Sequence, residues 1–342
     1  MPAPDPHEQG LDPWALPIRD LGLAIAGSPL EPILEEFNAE LSRVGIHRVR
    51  PRFYLSTEWG VCEGTVAIAI PFYLARPDLM ALHADRIGHV EGVGRADVLR
   101  YLRHEMGHVV NYAHELFKTD EWVELFGSMD QPYREEFRVE PFSRRFVRHL
   151  PGWYAQKHPD EDWSETFAVW MTPGIDWHAD YADGPEALAK LQYCDRTMAA
   201  LADRDPVVTA EALHQDVSEL DFSVREFYRS QSFEPDPFPA GLDVALRSIF
   251  EDLGGPEASL TTAPRKLTSG LITRLERDLV ADVYRWTGHV PERTRPLLKH
   301  LAERAEQMAL VYPEPNETAA VVALTTLVTT VAMNHVLQRN PA

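Results

Sequence analysis

The sequence predicts an α+β protein: a small sheet leads into two helices rich in His, Asp and Glu, and an all-helical C-terminal domain follows. Three observations predict it. Two short runs of strand character, Arg52-Phe-Tyr-Leu-Ser56 and Thr65-Val-Ala-Ile-Ala-Ile70, precede a long helical stretch. Within that stretch, Val98, Leu102, Val109, Ala113 and Leu116 recur at three- and four-residue steps, with no proline between Arg95 and Phe117. Beyond about residue 240 the apolar spacing is helical throughout.

Composition limits the classes of function. The chain has 342 residues, enough for two domains or one large one. With 33 Lys+Arg against 53 Asp+Glu, the formal net charge is −20. Such a field repels phosphate backbones and anionic membranes, so neither nucleic acid nor a membrane is expected as a partner. Residues 1–10 lack a cationic start followed by an apolar core and do not read as a signal peptide. Two distant cysteines, Cys62 and Cys194, read as free thiols, and the expected location is cytoplasmic.

Residues 1–17 are proline-rich and read as an extended arm. The first domain is expected over 18–231, starting with an amphipathic helix in Ile18–Leu41 marked by Ile33, Leu34, Phe37 and Leu41. The two strand runs come next, and Glu58–Gly64 between them, with two glycines, reads as their connecting turn. Glu121–Phe126 is a short helix stopped by Gly127. A basic, aromatic stretch follows, with Arg134, Arg138, Arg144, Arg145 and Arg148 among Phe142, Phe146, Trp153 and Tyr154. Those arginines either orient a substrate carboxylate or pair with neighbouring acids, and pairing is the more usual use.

His158-Pro-Asp-Glu-Asp-Trp-Ser-Glu-Thr-Phe-Ala-Val-Trp170 opens with proline and three acids, a good helix start, and Pro173-Gly174 stops it. Residues 176–202 continue as helix. Residues 232–240 carry three prolines and read as a linker to a helical bundle at 241–342. One face of that bundle is marked by Leu271, Leu275, Leu279, Val283 and Trp286. A second is marked by Leu297, Leu298, Leu301, Ala305 and Met308, and Asn316 is placed to cap the last helix. Thr318–Leu337 has no charged side chain but several threonines, which fits a buried bundle helix better than a membrane span.

The chemistry sits in His104-Glu-Met-Gly-His108, an H-E-x-x-H pattern. On a helix the two histidines stand one turn apart on one face, so both imidazoles reach a single metal ion, and Glu105 is placed to take a proton from its water. A catalytic zinc takes three protein ligands and leaves a position open. Two residues compete for the third. Glu165, on the second helix between bulky aromatics, would complete a His₂Glu set. His114 has the metzincin spacing, with Asn111 in place of the usual glycine and Met129 as a conceivable Met-turn. The apolar pattern runs on through Asn111, which carries His114 away from the metal and favours Glu165.

Arg103-His-Glu-Met-Gly-His108 and His158-Pro-Asp-Glu-Asp-Trp-Ser-Glu-Thr-Phe-Ala168 together resemble the paired motifs of the bacterial "putative zinc-binding metallopeptidase" family. Ala69–Ala75 and Ser143–Leu150 add to the resemblance, which spans roughly residues 18–200. It implies a zincin-like, gluzincin-type core: a small sheet packed on the H-E-x-x-H helix, an edge strand able to pair with an extended peptide, and a helix carrying the Glu ligand. It implies zinc on His104, His108 and Glu165, with Glu105 as general base. An acid four residues after the ligand, which would orient a ligand histidine, falls at Val169, so Asp162 is the substitute expected to do so. For the oxyanion donor, His158 is the first candidate and Tyr181 the second.

The expected function is therefore zinc-dependent hydrolysis of peptide bonds in a peptide or protein substrate. Two alternatives stand beside it: a catalytically silent, zinc-stabilised scaffold whose helical domain binds a protein partner, and a metallohydrolase of non-peptide amides. Glu105 favours an enzyme, since structural zinc has no use for a carboxylate there.

Overall fold

The computed structural model describes residues 14–133, 137, 139–231, 238–253 and 264–338. The chain forms two compact units, Met1–Arg86 with Val90–Gln231, and Ile87–His89 with Ser232–Ala342.

In the first unit a 3₁₀ turn, Ile18–Leu21, precedes helix α1 (Glu31–Arg43). The single helix expected over 18–41 is thus confined to its second half. Gly22 and Gly27 hold φ of 65° and 75°, which break any earlier helix, and Pro32 sits in the first turn of α1. Of the expected N-terminal arm, residues 1–13 lie outside the described residues; Pro17 pairs with Ser223 and the Ile18 amide donates to the Phe222 carbonyl.

Strands β1 (Arg52–Ser56), β2 (Gly60–Val61) and β3 (Ala67–Pro71) form a sheet in the order β1-β3-β2. β1 runs parallel to β3, from Arg52 opposite Ala67 to Ser56 opposite Pro71. β2 is antiparallel, with Gly60 opposite Ala69. The expected connecting turn therefore contains an edge strand, too short to show any alternation. Every residue of the central β3 is buried, which explains its continuous apolar run.

Helices α2 (Pro77–Ile87), α3 (Gly94–His114), α4 (Asp120–Phe126), α5 (Pro159–Met171), α6 (Trp177–Asp180), α7 (Pro185–Leu201) and α8 (Val224–Ser230) follow. The helix expected over 176–202 is split where Gly184-Pro185 starts α7. α3 is buried almost throughout from Val98 to Ala113, and α5 along nearly its whole length. They lie unusually close at Gly107, where a Cβ would stand 2.7 Å from the Ser164 Cα. The Trp163 indole N–H donates to the Gly107 carbonyl at 2.8 Å and locks the crossing. On the other flank of α3, the Arg103 guanidinium grips the buried Glu40 carboxylate of α1 with two bonds of 2.9 and 2.8 Å.

The second unit contains α9 (Leu242–Leu253), β4 (Arg265–Leu267), α10 (Thr268–Thr287), α11 (Pro291–Gln307), β5 (Val311–Pro313) and α12 (Glu317–Gln338). It is not wholly helical: β4 pairs antiparallel with β5, from Arg265 opposite Pro313 to Leu267 opposite Val311. Leu246, Leu298, Leu301, Ala305, Leu324 and Val328 form the centre of its core. Trp286, expected on the buried face of α10, is 51% exposed. In α12 one stripe at four-residue spacing, Ala320, Leu324, Val328 and Ala332, is fully buried, while Val322 is 61% exposed. The expected buried helix therefore has one buried face. By length and composition alone Glu314–Leu337 is apolar enough to cross a membrane. Asn316 ends a short 3₁₀ turn and its side-chain amide reaches the Leu253 carbonyl at 3.5 Å. Of the expected linker, residues 232–237 lie outside the described residues.

Candidate metal centre

α3 brings His104 and His108 to one face, and both are buried. Their Nε2 atoms are 3.3 Å apart. α5 presents Glu161 to the same point: its Oε2 lies 3.0 Å from His104 Nε2 and 3.4 Å from His108 Nε2. One donor atom from each of these three buried residues lies within 4.8 Å of the other two, a group able to hold a metal ion. Two imidazoles and a carboxylate are the donor set of a His₂Glu catalytic zinc site.

The outer nitrogens are held as firmly as the inner ones face each other. His104 Nδ1 is 2.9 Å from Glu165 Oε1, and the amides of His149 and Leu150 donate to the same carboxylate at 2.6 and 2.8 Å. His108 Nδ1 is 2.8 Å from Asp160 Oδ2. Asp160 in turn accepts from the Asn111 amide at 2.7 Å and the Tyr112 hydroxyl at 2.5 Å. A carboxylate accepting the Nδ1 proton leaves each Nε2 with its lone pair directed inward.

Electrostatics follow from this crowding. Burial works against a charge on His104, but bonds to Glu161 and Glu165 raise it to about 9. The same balance, with Asp160 and Glu161 as the partners, raises His108 well above 6.5. Burial opposes the charge on Glu161 too, yet the two imidazoles hold its carboxyl well below the usual range. Glu105, buried beside the centre, has an Oε2 with no hydrogen-bond partner, and burial raises its pKa. An unpaired buried carboxylate is costly to keep and is the form a proton acceptor takes.

The structure places the predicted residues as follows. His104, His108 and Glu105 come together. Glu165 does not join the inner group; it stands behind His104, and Glu161, one helical turn earlier, faces the histidines. His114 ends α3 far along the same helix, among Ile46, Val49 and Leu201. α3 continues unbroken through Asn111, whose side-chain oxygen accepts from the Phe117 amide, so the turn that would return His114 never forms. Without it the Met-turn reading of Met129 has no centre to serve. Asp162 orients no histidine: its Oδ2 pairs with Lys190 Nζ at 2.5 Å, and burial pushes it up to about 7. His158 caps α5, its Nδ1 accepting from the Asp160 amide and its Nε2 bonding the Gln131 carbonyl at 3.0 Å, so both nitrogens are engaged. The Tyr181 hydroxyl is engaged by the Arg148 backbone. Of the basic stretch, Arg134 and Arg138 lie outside the described residues, Arg144 donates to the Asp183 carbonyl and Arg148 stacks over Trp153 at 4.2 Å.

Sequence reasoning missed four residues. Asp160 and Glu161 lay inside the second motif, and the signal was the four-residue step from Glu161 to Glu165, which puts two acids on the helix face turned to the histidines. Tyr112 carried no signal. Neither did Tyr133, whose hydroxyl donates to Glu161 Oε1 at 2.7 Å.

Residues 90–243 match the model of the family described as "Putative zinc-binding metallo-peptidase". That segment contains every residue of the centre. No curated protein and no solved structure matches the chain.

Proposed function

We propose that the chain is a zinc-dependent peptidase with a zincin-like core, in which His104 and His108 through Nε2, and Glu161 through its carboxylate, hold the ion. The observation that carries this is the two-sided use of the histidines: both inner nitrogens meet Glu161 Oε2 while both outer nitrogens are bound by carboxylates. This revises the ligand expected from sequence. Glu161 takes the place given to Glu165, and Glu165 becomes the acid four residues on that orients His104, completing a gluzincin-type helix.

Zinc held by three protein ligands supplies an acidified water and a Lewis acid for the scissile carbonyl. Glu105 is placed to accept a proton from the attacking water and to return it to the leaving amine nitrogen. Asp160 and Glu165 fix the imidazole tautomers throughout. The Tyr133 hydroxyl, 2.7 Å from Glu161 Oε1, stands beside the proposed ion and is the candidate donor to the developing oxyanion, on exchanging that bond for the substrate oxygen. The β2 edge of the sheet is where an extended substrate would pair. The free thiols Cys62 and Cys194 support a cytoplasmic setting, and the helical second unit is the surface on which a protein partner would dock.

The test is zinc per chain and peptide turnover in a set of variants. Glu161→Ala is expected to lose the ion. Glu105→Gln should keep it and lose turnover by about 10²- to 10⁴-fold. Tyr133→Phe should keep the ion and lower kcat, and His114→Ala should keep both. Zinc retained in Glu161→Ala but lost in Glu165→Ala would return the ligand to Glu165. Zinc bound without cleavage of any peptide would leave the scaffold reading, and cleavage of small amides alone the non-peptide one.

A further inference from the structure

Both nitrogens of His158 hold backbone, and the backbone they hold leads to Tyr133. Nδ1 accepts from the Asp160 amide at 3.2 Å, which fixes the neutral tautomer with its proton on Nε2. That Nε2–H donates to the Gln131 carbonyl at 3.0 Å. One ring therefore caps α5 and anchors the irregular segment that follows α4. The segment begins at Gly127, where the backbone turns with φ of 106°. A Cβ there would stand 2.7 Å from the Gln131 side-chain amide and 3.3 Å from Pro159 Cγ, so the chain folds back onto the first turn of α5 through a glycine. The Gln131 amide then closes a turn on the Ser128 carbonyl at 3.2 Å.

Tyr133 lies two residues beyond that anchor. It is 50% exposed and belongs to no helix or strand, yet its hydroxyl ends on Glu161 Oε1 at 2.7 Å. Its ring is flanked by the His158 ring, with centroids 5.5 Å apart, and by the Lys157 ammonium 4.5 Å from its centroid. His158 thus meets Tyr133 twice, directly through its ring and through the Gln131 backbone. Fixing an irregular segment costs conformational entropy, and its anchors decide how closely its side chains keep to one place. A group misplaced by about 1 Å costs up to about 10²-fold in rate. We propose that His158 is a positioning residue: it seats the Gly127–Tyr133 segment on α5 and so holds the Tyr133 hydroxyl at Glu161. The consequence for turnover rests on the peptidase reading above, whereas the consequence for how zinc is held does not.

His158→Asn, Tyr133→Phe and the double variant test it in the full-length, zinc-loaded chain. Asn is a favoured helix cap and puts an oxygen where Nδ1 stands, but it has no atom at the place of Nε2. It keeps the cap on α5 and drops the anchor on Gln131. The first readout is release of zinc to excess EDTA. Each single variant is expected to bind zinc and to release it about tenfold faster, the size of effect of a lost orienting partner, and the double variant no faster than either. The second readout is cleavage of the best substrate in a quenched-fluorescence peptide library. There His158→Asn should lower kcat by about 10- to 100-fold with KM little changed, and add nothing in the Tyr133→Phe background. A purely structural role for His158 gives losses that multiply. Wild-type zinc release in His158→Asn, or losses that multiply in either readout, overturns the proposal and leaves the peptidase reading standing. Zinc release that does not multiply, in a protein that cleaves no peptide, upholds the seating of Tyr133 and removes the peptidase reading instead.

Discussion

The interiors of the two units are built on different terms. The first buries His104, Glu105, His108, Asp160, Glu161, Asp162, Glu165 and Lys190 along with its apolar residues. The second buries, among its described residues, Thr268, Thr287, His289 and Thr294 as its polar side chains, and no carboxylate or lysine. His289 and Thr294 satisfy each other at 2.8 Å. Removing a charge from water costs several kcal/mol even when it is paired, and apolar residues of equal volume often serve stability as well or better. The first unit therefore carries buried charges that its stability does not call for, as the proposed metal chemistry would require, and the second is packed with apolar residues.

Four experiments sharpen or break that contrast, in falling order of expected effect. Lys190→Met strands Asp162, whose Oδ1 already lacks a partner, and is expected to cost about 3–5 kcal/mol in thermal unfolding. A cost under about 1 kcal/mol would mean that the pair is solvated and the interior less dry than it looks. In the second unit, Leu298→Ala should cost about 2–5 kcal/mol through the cavity it leaves, with zinc per chain unchanged. Loss of zinc in that variant would break the division of roles. Gly107→Ala puts a Cβ 2.7 Å from the Ser164 backbone and should cost about 1–3 kcal/mol as α3 and α5 are forced apart, with weaker zinc binding as the companion sign. Glu165→Gln and Asp160→Asn should each weaken zinc by about 10- to 100-fold in competition with a chelator, the size of effect of a lost orienting partner. An unchanged affinity would remove them from the centre.

A fifth test is in pH, where the sign is the informative part. In chelator-treated protein His104 is raised from 6.5 to about 9, so the stability it contributes is complete below pH 6.5 and is lost as pH rises through 9. Glu161 is depressed, so its contribution is present above the ordinary carboxylate value of 4.5 and is lost on acidification. Denaturation midpoints of the metal-free protein should therefore fall from pH 6.5 to 9. With zinc present they should rise over the same window, because the ion displaces the protons. Parallel curves with and without zinc would contradict the assignment.

Much of this was legible in the sequence, and the failures have physical causes. The bounds of β1 were read to the residue, α3 from its apolar periodicity and missing prolines, and the start of α5 from His158-Pro159. The histidine pair and its neighbouring acid came from spacing on one helix. The choice between Glu161 and Glu165 did not, because four residues apart on a helix means the same face, and both point toward α3. Only the depth at which α5 docks decides, and that is set by the contact of Gly107 with Ser164 and the Trp163 indole. The two-residue β2 and the three-residue β4 and β5 have no period to detect. Trp286 fitted an apolar spacing and is still half exposed, since periodicity names a face without saying where that face ends.

The bonds that assemble the centre are all long in sequence: Tyr112 to Asp160 spans 48 residues and His104 to Glu165 spans 61. A chain emerging from the ribosome thus displays both histidines well before any carboxylate that orients them exists. At that stage the H-E-x-x-H helix is an ordinary pair of imidazoles, open to whichever soft divalent ion is most available. Choice of metal therefore waits on tertiary structure, since only the packing of α5 on α3 brings Glu165 and Asp160 to the two imidazoles.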